Sequence, residues 1–164
     1  EHFTVKTYAI QVYKSILVRD PSARLSIPHI GNAMTCAQLC ADVLQVYLKD
    51  ADVEHFVALW LDQKNKIIGL RTVSTGSLQA SVVHPREVFI GTSDGRVASL
   101  IVGHNHPSGS TLPSNEDRSL TTRLVEAGKL LGIPVLDHII IGFDLDGVAT
   151  PYFSFADNGL LTGA

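Results

Sequence analysis

The sequence predicts an α+β domain, close to an α/β/α arrangement, in which a mixed β-sheet is flanked by helices. Length is the first reason: 164 residues are enough for a single core that buries about 70% of the unfolded chain's surface. Composition is the second, since 45% hydrophobic and 18% charged residues with a mean hydropathy of +0.19 describe one globular domain and exclude disordered or collagen-like chains. The third is the order of apolar periodicities, which runs strands, helix, strands, helix, strands.

From Phe3 to Val18 the pattern is strand-like, with Ile10, Val12, Ile16 and Val18 separated by polar or aromatic residues. Asp20 to Gly31 carries Pro21, Pro28 and Gly31 and reads as a linker. Residues 1–34 are therefore an N-terminal strand and arm, and residues 35–164 the domain proper. A helix follows, capped by Thr35 with Gln38 completing a capping box. Its apolar stripe is Cys36, Cys40, Val43, Leu44 and Tyr47, and it ends near Lys49.

Glu54 to Asp62 and Ile67 to Val73 are dense in apolar residues on either side of the polar turn Gln63 to Lys66, the pattern of a hairpin. His84 to Phe89 starts a short helix with Pro85 at its first position. Val97 to Gly103 is a strand, and the loop from His104 to Pro113 delivers the chain to a second helix, Asn115 to about Leu131. Leu120, Leu124, Ala127 and Leu131 form that helix's buried face. Ile133 to Gly142 is a β-branched strand, and a turn at Asp144 to Gly147 leads to a last strand, Val148 to Phe155. Asp144 and Asp146 lack the further oxygens of a calcium loop.

Thirteen basic against sixteen acidic residues give a net charge of −3, and the Lys and Arg residues are dispersed. A dominant nucleic-acid or anionic-membrane surface is not expected. Cys36 and Cys40, four apart on one helix face, read as core thiols in a reducing compartment, because helical geometry suits a disulfide between them poorly. No apolar run is long enough to span a membrane, and Glu1 to Ile10 lacks a signal peptide's basic-then-apolar order. The expected location is the cytoplasm.

One stretch concentrates the chemistry: His104, Asn105, His106, Pro107, Ser108 and Gly109, followed by Ser114 and Asp117. His106 precedes a proline and is held extended, and positions i and i+2 of an extended chain point to one side. Both imidazoles can thus converge on one ion, with Asp117 in the first turn of the second helix supplying an oxygen. Two nitrogens and one carboxylate, with a position left for water, form the ligand set of a catalytic zinc. The plainer alternative is a solvated turn in which Ser114 and Asp117 only cap the helix. The adjacent letters His-Asn-His do not indicate a nuclease of that name, whose residues are spread over a ββα fold. Asp137 and His138, in an apolar strand, read as a satisfied buried polar pair or as a support for the metal ligands.

The spacing His-x-His-Pro, then Ser, two residues and Asp, resembles the JAMM (JAB/MPN) metalloprotease signature. Three longer strings, GHNHPSGSTLPSNED (103–117), VSTGSLQASVVHPREVF (73–89) and LGIPVLDHIIIG (131–142), are similar to the RadC family of bacterial JAB-domain proteins, over about Val53 to Leu161. His84 and Arg86 belong to one of these strings, although a helix start explains them equally well. A helix-hairpin-helix segment, common at the start of longer members, is not recognisable.

The resemblance implies a JAB/MPN fold, related to that of cytidine deaminases, with Zn2+ held by His104, His106, Asp117 and a water. It also implies a general-base glutamate at the start of the first core strand. That match falls on Glu54, which alone among the five glutamates opens a buried strand. Ser114 matches the serine whose hydroxyl helps hold the developing oxyanion. The implied function is a zinc-dependent peptidase or isopeptidase acting on a peptide or protein. The alternative is a metal-binding JAB-fold interaction module with little catalysis, in a DNA-repair-related or mobile-element pathway.

Overall fold

The computed structural model describes residues 33–76, 83–142 and 151–161. The strand expected between Phe3 and Val18, the arm that follows it, and the turn Asp144 to Gly147 lie outside the described residues. The elements run α1 (Ala37–Leu48), β1 (His55–Leu61), β2 (Ile67–Thr75), α2 (Pro85–Val88), β3 (Ser99–His106), α3 (Asn115–Leu131), β4 (Val135–Gly142) and β5 (Tyr152–Ser154). Five strands form one mixed sheet in the order β2-β1-β3-β4-β5. Among the described residues only β3 and β4 pair in parallel, joined by α3 in a β-α-β unit, since parallel neighbours need a crossover.

The expected mixed sheet flanked by helices is the architecture found, and strand alternation explains its two layers. Val57, Leu59, Leu61, Ile101, Ile139 and Ile141 point to one side and pack against Cys40, Val43, Leu44 and Leu48 of α1. Phe56, Ala58, Leu100, Val102 and Val135 point to the other and meet Val88 of α2 with Leu120, Leu124 and Val125 of α3. Gly103 is what lets α1 approach so closely. A Cβ there would collide with the Leu44 side chain and press on the Ile139 carbonyl, so a larger residue would push helix and sheet apart.

Several local expectations are corrected. Helix α1 is capped by Cys36 without a side-chain hydrogen bond, and neither Thr35 nor a capping box serves it. The Met34 amide donates to the Asn65 carbonyl in the hairpin turn (2.8 Å), which ties the preceding chain down, and Gln38 donates to Asp42 instead (2.8 Å). The cap position leaves Cys36 exposed while Cys40 is buried, with its thiol pushed up to about 12 chiefly by burial. Strand β3 continues to His106, because its pairing with β4 persists to His106 opposite Gly142. Leu131 is exposed, for α3 ends at the left-handed Gly132 and buries Val125 and Gly128 in place of its last turn. Among the described residues no helix is long and apolar enough to cross a membrane.

Candidate metal centre

The site lies where β3 ends and α3 begins, on the α3 side of the sheet. His104 and His106 alternate with Asn105 along β3, so both imidazoles face α3 and their Nε2 atoms stand 3.0 Å apart. The loop from Pro107 turns at once, with the Gly109 amide donating to the His106 carbonyl (2.9 Å) and Gly109 in the left-handed region at φ 82°. Its backbone then rests on Gly142 at the end of β4, where a Cβ would strike the Gly109 carbonyl. The chain thereby returns to start α3 beside the strand it has just left.

Helix α3 opens with a capping box: the Asp117 amide donates to Ser114 Oγ (3.0 Å) and the Ser114 amide to Asp117 Oδ2 (2.8 Å). Ser114 Oγ also donates to Asp117 Oδ2 (2.7 Å). These bonds hold one carboxylate oxygen and leave the other, Oδ1, buried without a hydrogen-bond partner, 3.3 Å from His104 Nε2. Asp117 Oδ2 lies 3.7 Å from His106 Nε2. From the position just before β1, Glu54 brings Oε1 to 3.8 Å from His104 Nε2. One donor atom from each of Glu54, His104 and His106 lies within 4.8 Å of the others.

Hydrogen-bond bookkeeping decides which nitrogens carry protons. Thr121 donates its hydroxyl proton to the Asp117 carbonyl (2.6 Å), so it accepts from His138 Nδ1 (2.7 Å). Burial holds the His138 pKa well below the ordinary imidazole range; the ring is neutral and its Nε2 accepts from His104 Nδ1 (2.9 Å). His104 is pushed down to about 4 by burial, against the attraction of Asp117, and its Nε2 therefore presents a bare lone pair. The close approach to Asp117 is accordingly not an ion pair. His106 donates Nδ1–H to the Ser110 carbonyl (2.6 Å), which in the neutral ring leaves its Nε2 bare as well. Phe56 stacks on His104 (5.9 Å between centroids) and Phe155 on His138 (4.7 Å), closing the imidazoles off from water.

The result is a set of facing acceptors, His104 Nε2, His106 Nε2 and Asp117 Oδ1, without a donor among them. A divalent cation there would meet these acceptors, with Glu54 also within reach of the two histidines, and the residue types suit a transition ion such as zinc. All five residues singled out in the sequence thus meet here, although Ser114 directs its hydroxyl at Asp117. Asp137 and His138 are both buried and satisfied, as expected, and the His138 amide donates to Asp137 Oδ1 (2.7 Å). They point to opposite faces, Asp137 binding Ser154 Oγ (2.6 Å) and the Ala156 amide (2.9 Å) while His138 supports His104.

Two contributors had no role in the sequence reading. Thr121 sits one helical turn after Asp117, and that i+4 spacing is the signal that could have exposed it. Asn105 is fully buried; it accepts from the His55 amide (2.8 Å) and donates to the Val53 carbonyl (3.0 Å). A polar residue between two inward histidines of a strand was its only mark.

The family model of the RadC-like JAB domain matches residues 34–160. A bacterial relative called UPF0758 protein, from Desulforamulus reducens, is 50% identical over 107 residues, covering 65% of this chain and 47% of the relative. One from Trichlorobacter lovleyi is 54% identical over 114 residues, 70% of this chain and 47% of the relative. One from Rubrobacter xylanophilus is 45% identical over 119 residues, 73% of this chain and 49% of the relative. The chain spans about half the length of these curated relatives. Since the matched span takes in every helix and strand from α1 to β5 together with the histidine and aspartate cluster, the chain belongs to the RadC-like JAB domain family.

Proposed function

We propose that this chain is a zinc-dependent hydrolase of amide bonds, a peptidase or isopeptidase acting on a peptide or protein. The observation that carries this reading is the cluster of facing acceptors, with Asp117 Oδ1 buried and unpartnered beside two bare imidazole nitrogens. His104, His106 and Asp117 would hold the ion. Glu54 also comes within reach of the histidines, but it stands farther from His104 Nε2 than Asp117 does, at 3.8 Å against 3.3 Å, and is less deeply buried. We therefore assign Glu54 as base and Asp117 as ligand. When bound, zinc supplies Lewis-acid polarisation of a carbonyl and lowers the pKa of water from about 15.7 to about 7.

The protein's own groups do the rest. Glu54 takes a proton from the attacking water and returns it to the leaving nitrogen, so one water and one amide become an acid and an amine. Such acid-base help contributes about a hundred- to ten-thousand-fold in rate. His138 and the Ser110 carbonyl hold the two ligand rings in one orientation and one tautomer. Ser114 is assigned to the oxyanion. Its hydroxyl donates to Asp117 Oδ2, so engaging a substrate oxygen means exchanging that bond. The dispersed charge and net −3 make nucleic acid a poor candidate for the substrate.

The test begins with elemental analysis. Wild-type protein should carry one zinc per chain, the double variant His104→Ala/His106→Ala none, and Glu54→Gln one. On a peptide library, Glu54→Gln should cut at least about a hundredfold more slowly. Full zinc in the double histidine variant would overturn the site. Loss of zinc in Glu54→Gln would make Glu54 a ligand and leave the base unassigned. Stoichiometric zinc with no cleavage of any library would favour the metal-binding interaction module instead.

A further inference from the structure

The backbone pairing between β1 and β3 runs from Leu61 opposite Ser99 to Phe56 opposite His104. Beyond that last pair β3 continues two residues to His106, and β1 begins one residue earlier, at His55, immediately after Glu54. At this step the Asn105 side chain bridges the two strands. Its Oδ1 accepts from the His55 amide (2.8 Å) and its Nδ2 donates to the Val53 carbonyl (3.0 Å). A single carboxamide therefore grips the peptide groups on both sides of Glu54. The Glu54 carbonyl itself accepts from the Gly76 amide on β2's side (2.8 Å), so the backbone around Glu54 is held from two neighbouring strands.

We infer that Asn105 is a positioning residue for Glu54: by clamping Val53 and His55 it sets where the Glu54 carboxylate stands relative to His104 and His106. This rests on the assignment of Glu54 as the base beside a metal held by the two histidines. Only a side chain with a donor and an acceptor on one planar group makes both bonds at once. Because Asn105 alternates with the ligand histidines along β3, it works from the sheet's α1 side and touches neither the ion site nor substrate. The same short stretch of strand thus supplies two ligands from one face and the base's support from the other. Full burial of the carboxamide is tolerated because both of its ends are satisfied.

The test uses the full 164-residue chain loaded with Co2+, whose visible bands report the surroundings of a bound ion. Wild type, Glu54→Gln, Asn105→Ala and the double variant are compared, with Co2+ affinity measured for each. Asn105→Ala should bind one Co2+ within about threefold of wild-type affinity, below the roughly ten- to hundredfold loss typical of weakened support for ligands. It should shift the bands in the direction that Glu54→Gln does, and the double variant should match Glu54→Gln alone, since two changes acting through one group do not add. Should Asn105→Ala not fold, Asn105→Asp, of the same shape but without the donor to Val53, replaces it. Wild-type bands in the Asn105 variant, with Glu54→Gln shifted, would overturn the inference and leave the role of Glu54 intact. Additive shifts would overturn it too, placing the effect of Asn105 on the histidines. Wild-type bands in Glu54→Gln would overturn the assignment of Glu54, and the inference with it.

Discussion

The two faces of the sheet are built from the same strands and differ in chemistry. Against α1, β1, β3 and β4 present mainly aliphatic side chains, among them Val57, Leu59, Ile101, Ile139 and Ile141, with Asn105 and Asp137 as buried polar exceptions that are each hydrogen-bonded. Against α2 and α3 the same strands begin aliphatic, at Ala58, Leu100 and Val102, and change to imidazole at His104 and His138, both fully buried. The aliphatic part of the first face needs volume and little else, because the hydrophobic effect has no direction. The second needs directed partners, because an unpaired buried polar group costs about 1–3 kcal/mol. A buried histidine on this sheet is therefore evidence of a network, and the network ends on nitrogens left bare.

Substitutions should break the two faces differently. The largest effect on stability belongs to the aliphatic face: Leu44→Ala removes a fully buried side chain and should cost about 2–5 kcal/mol. Denaturant unfolding reads that loss, while zinc per folded chain should stay unchanged. A folded Leu44→Ala that has lost its metal would show the faces to be coupled. Thr121→Val is the matching change on the imidazole face, nearly isosteric but unable to accept from His138 Nδ1. It should cost about 1–3 kcal/mol and weaken zinc binding by about ten- to a hundredfold, read by chelator competition. Unaltered affinity would mean that His138 holds His104 without help from α3. The smallest effect is expected at the boundary between the faces and solvent, where Ser114→Ala should remove about 1 kcal/mol of helix capping and slow peptide cleavage. Thermal unfolding and turnover separate the two roles, and wild-type turnover would reduce Ser114 to a cap.

Much of this was legible from residue patterns. Helix α3 begins and ends where its cap and apolar spacing place it, from Asn115 to Leu131, because Ser114 and Gly132 are strong local signals at either end. The hairpin of β1 and β2 follows its two apolar runs and polar turn. The start of α1 does not follow its apparent capping box: Cys36 takes the N-cap position, and the Met34 amide just before it is bonded to the Asn65 carbonyl of the hairpin turn. Cys36 and Leu131 fit apolar stripes yet lie exposed at helix ends. Periodicity locates a face of a helix without telling how far the opposing layer reaches.

The convergence of His104, His106 and Asp117 follows from chain chemistry alone: alternation puts the histidines on one side, a proline and glycine turn brings the chain back, and a serine cap sets the aspartate in the first helical turn. Each of those constraints acts over a few residues, so sequence spacing carries it. The support of the site is a different matter. His138 is 34 residues from His104, and Asn105 lies 50 residues from His55; no local rule relates them, and they meet only because β3 pairs with β4 on one side and β1 on the other. Which nitrogens stay bare, which carboxylate oxygen stays unpartnered and where Glu54 stands are decided by those pairings. Hydrogen bonds act over about 3 Å, and only the folded sheet brings distant parts of the chain within that range.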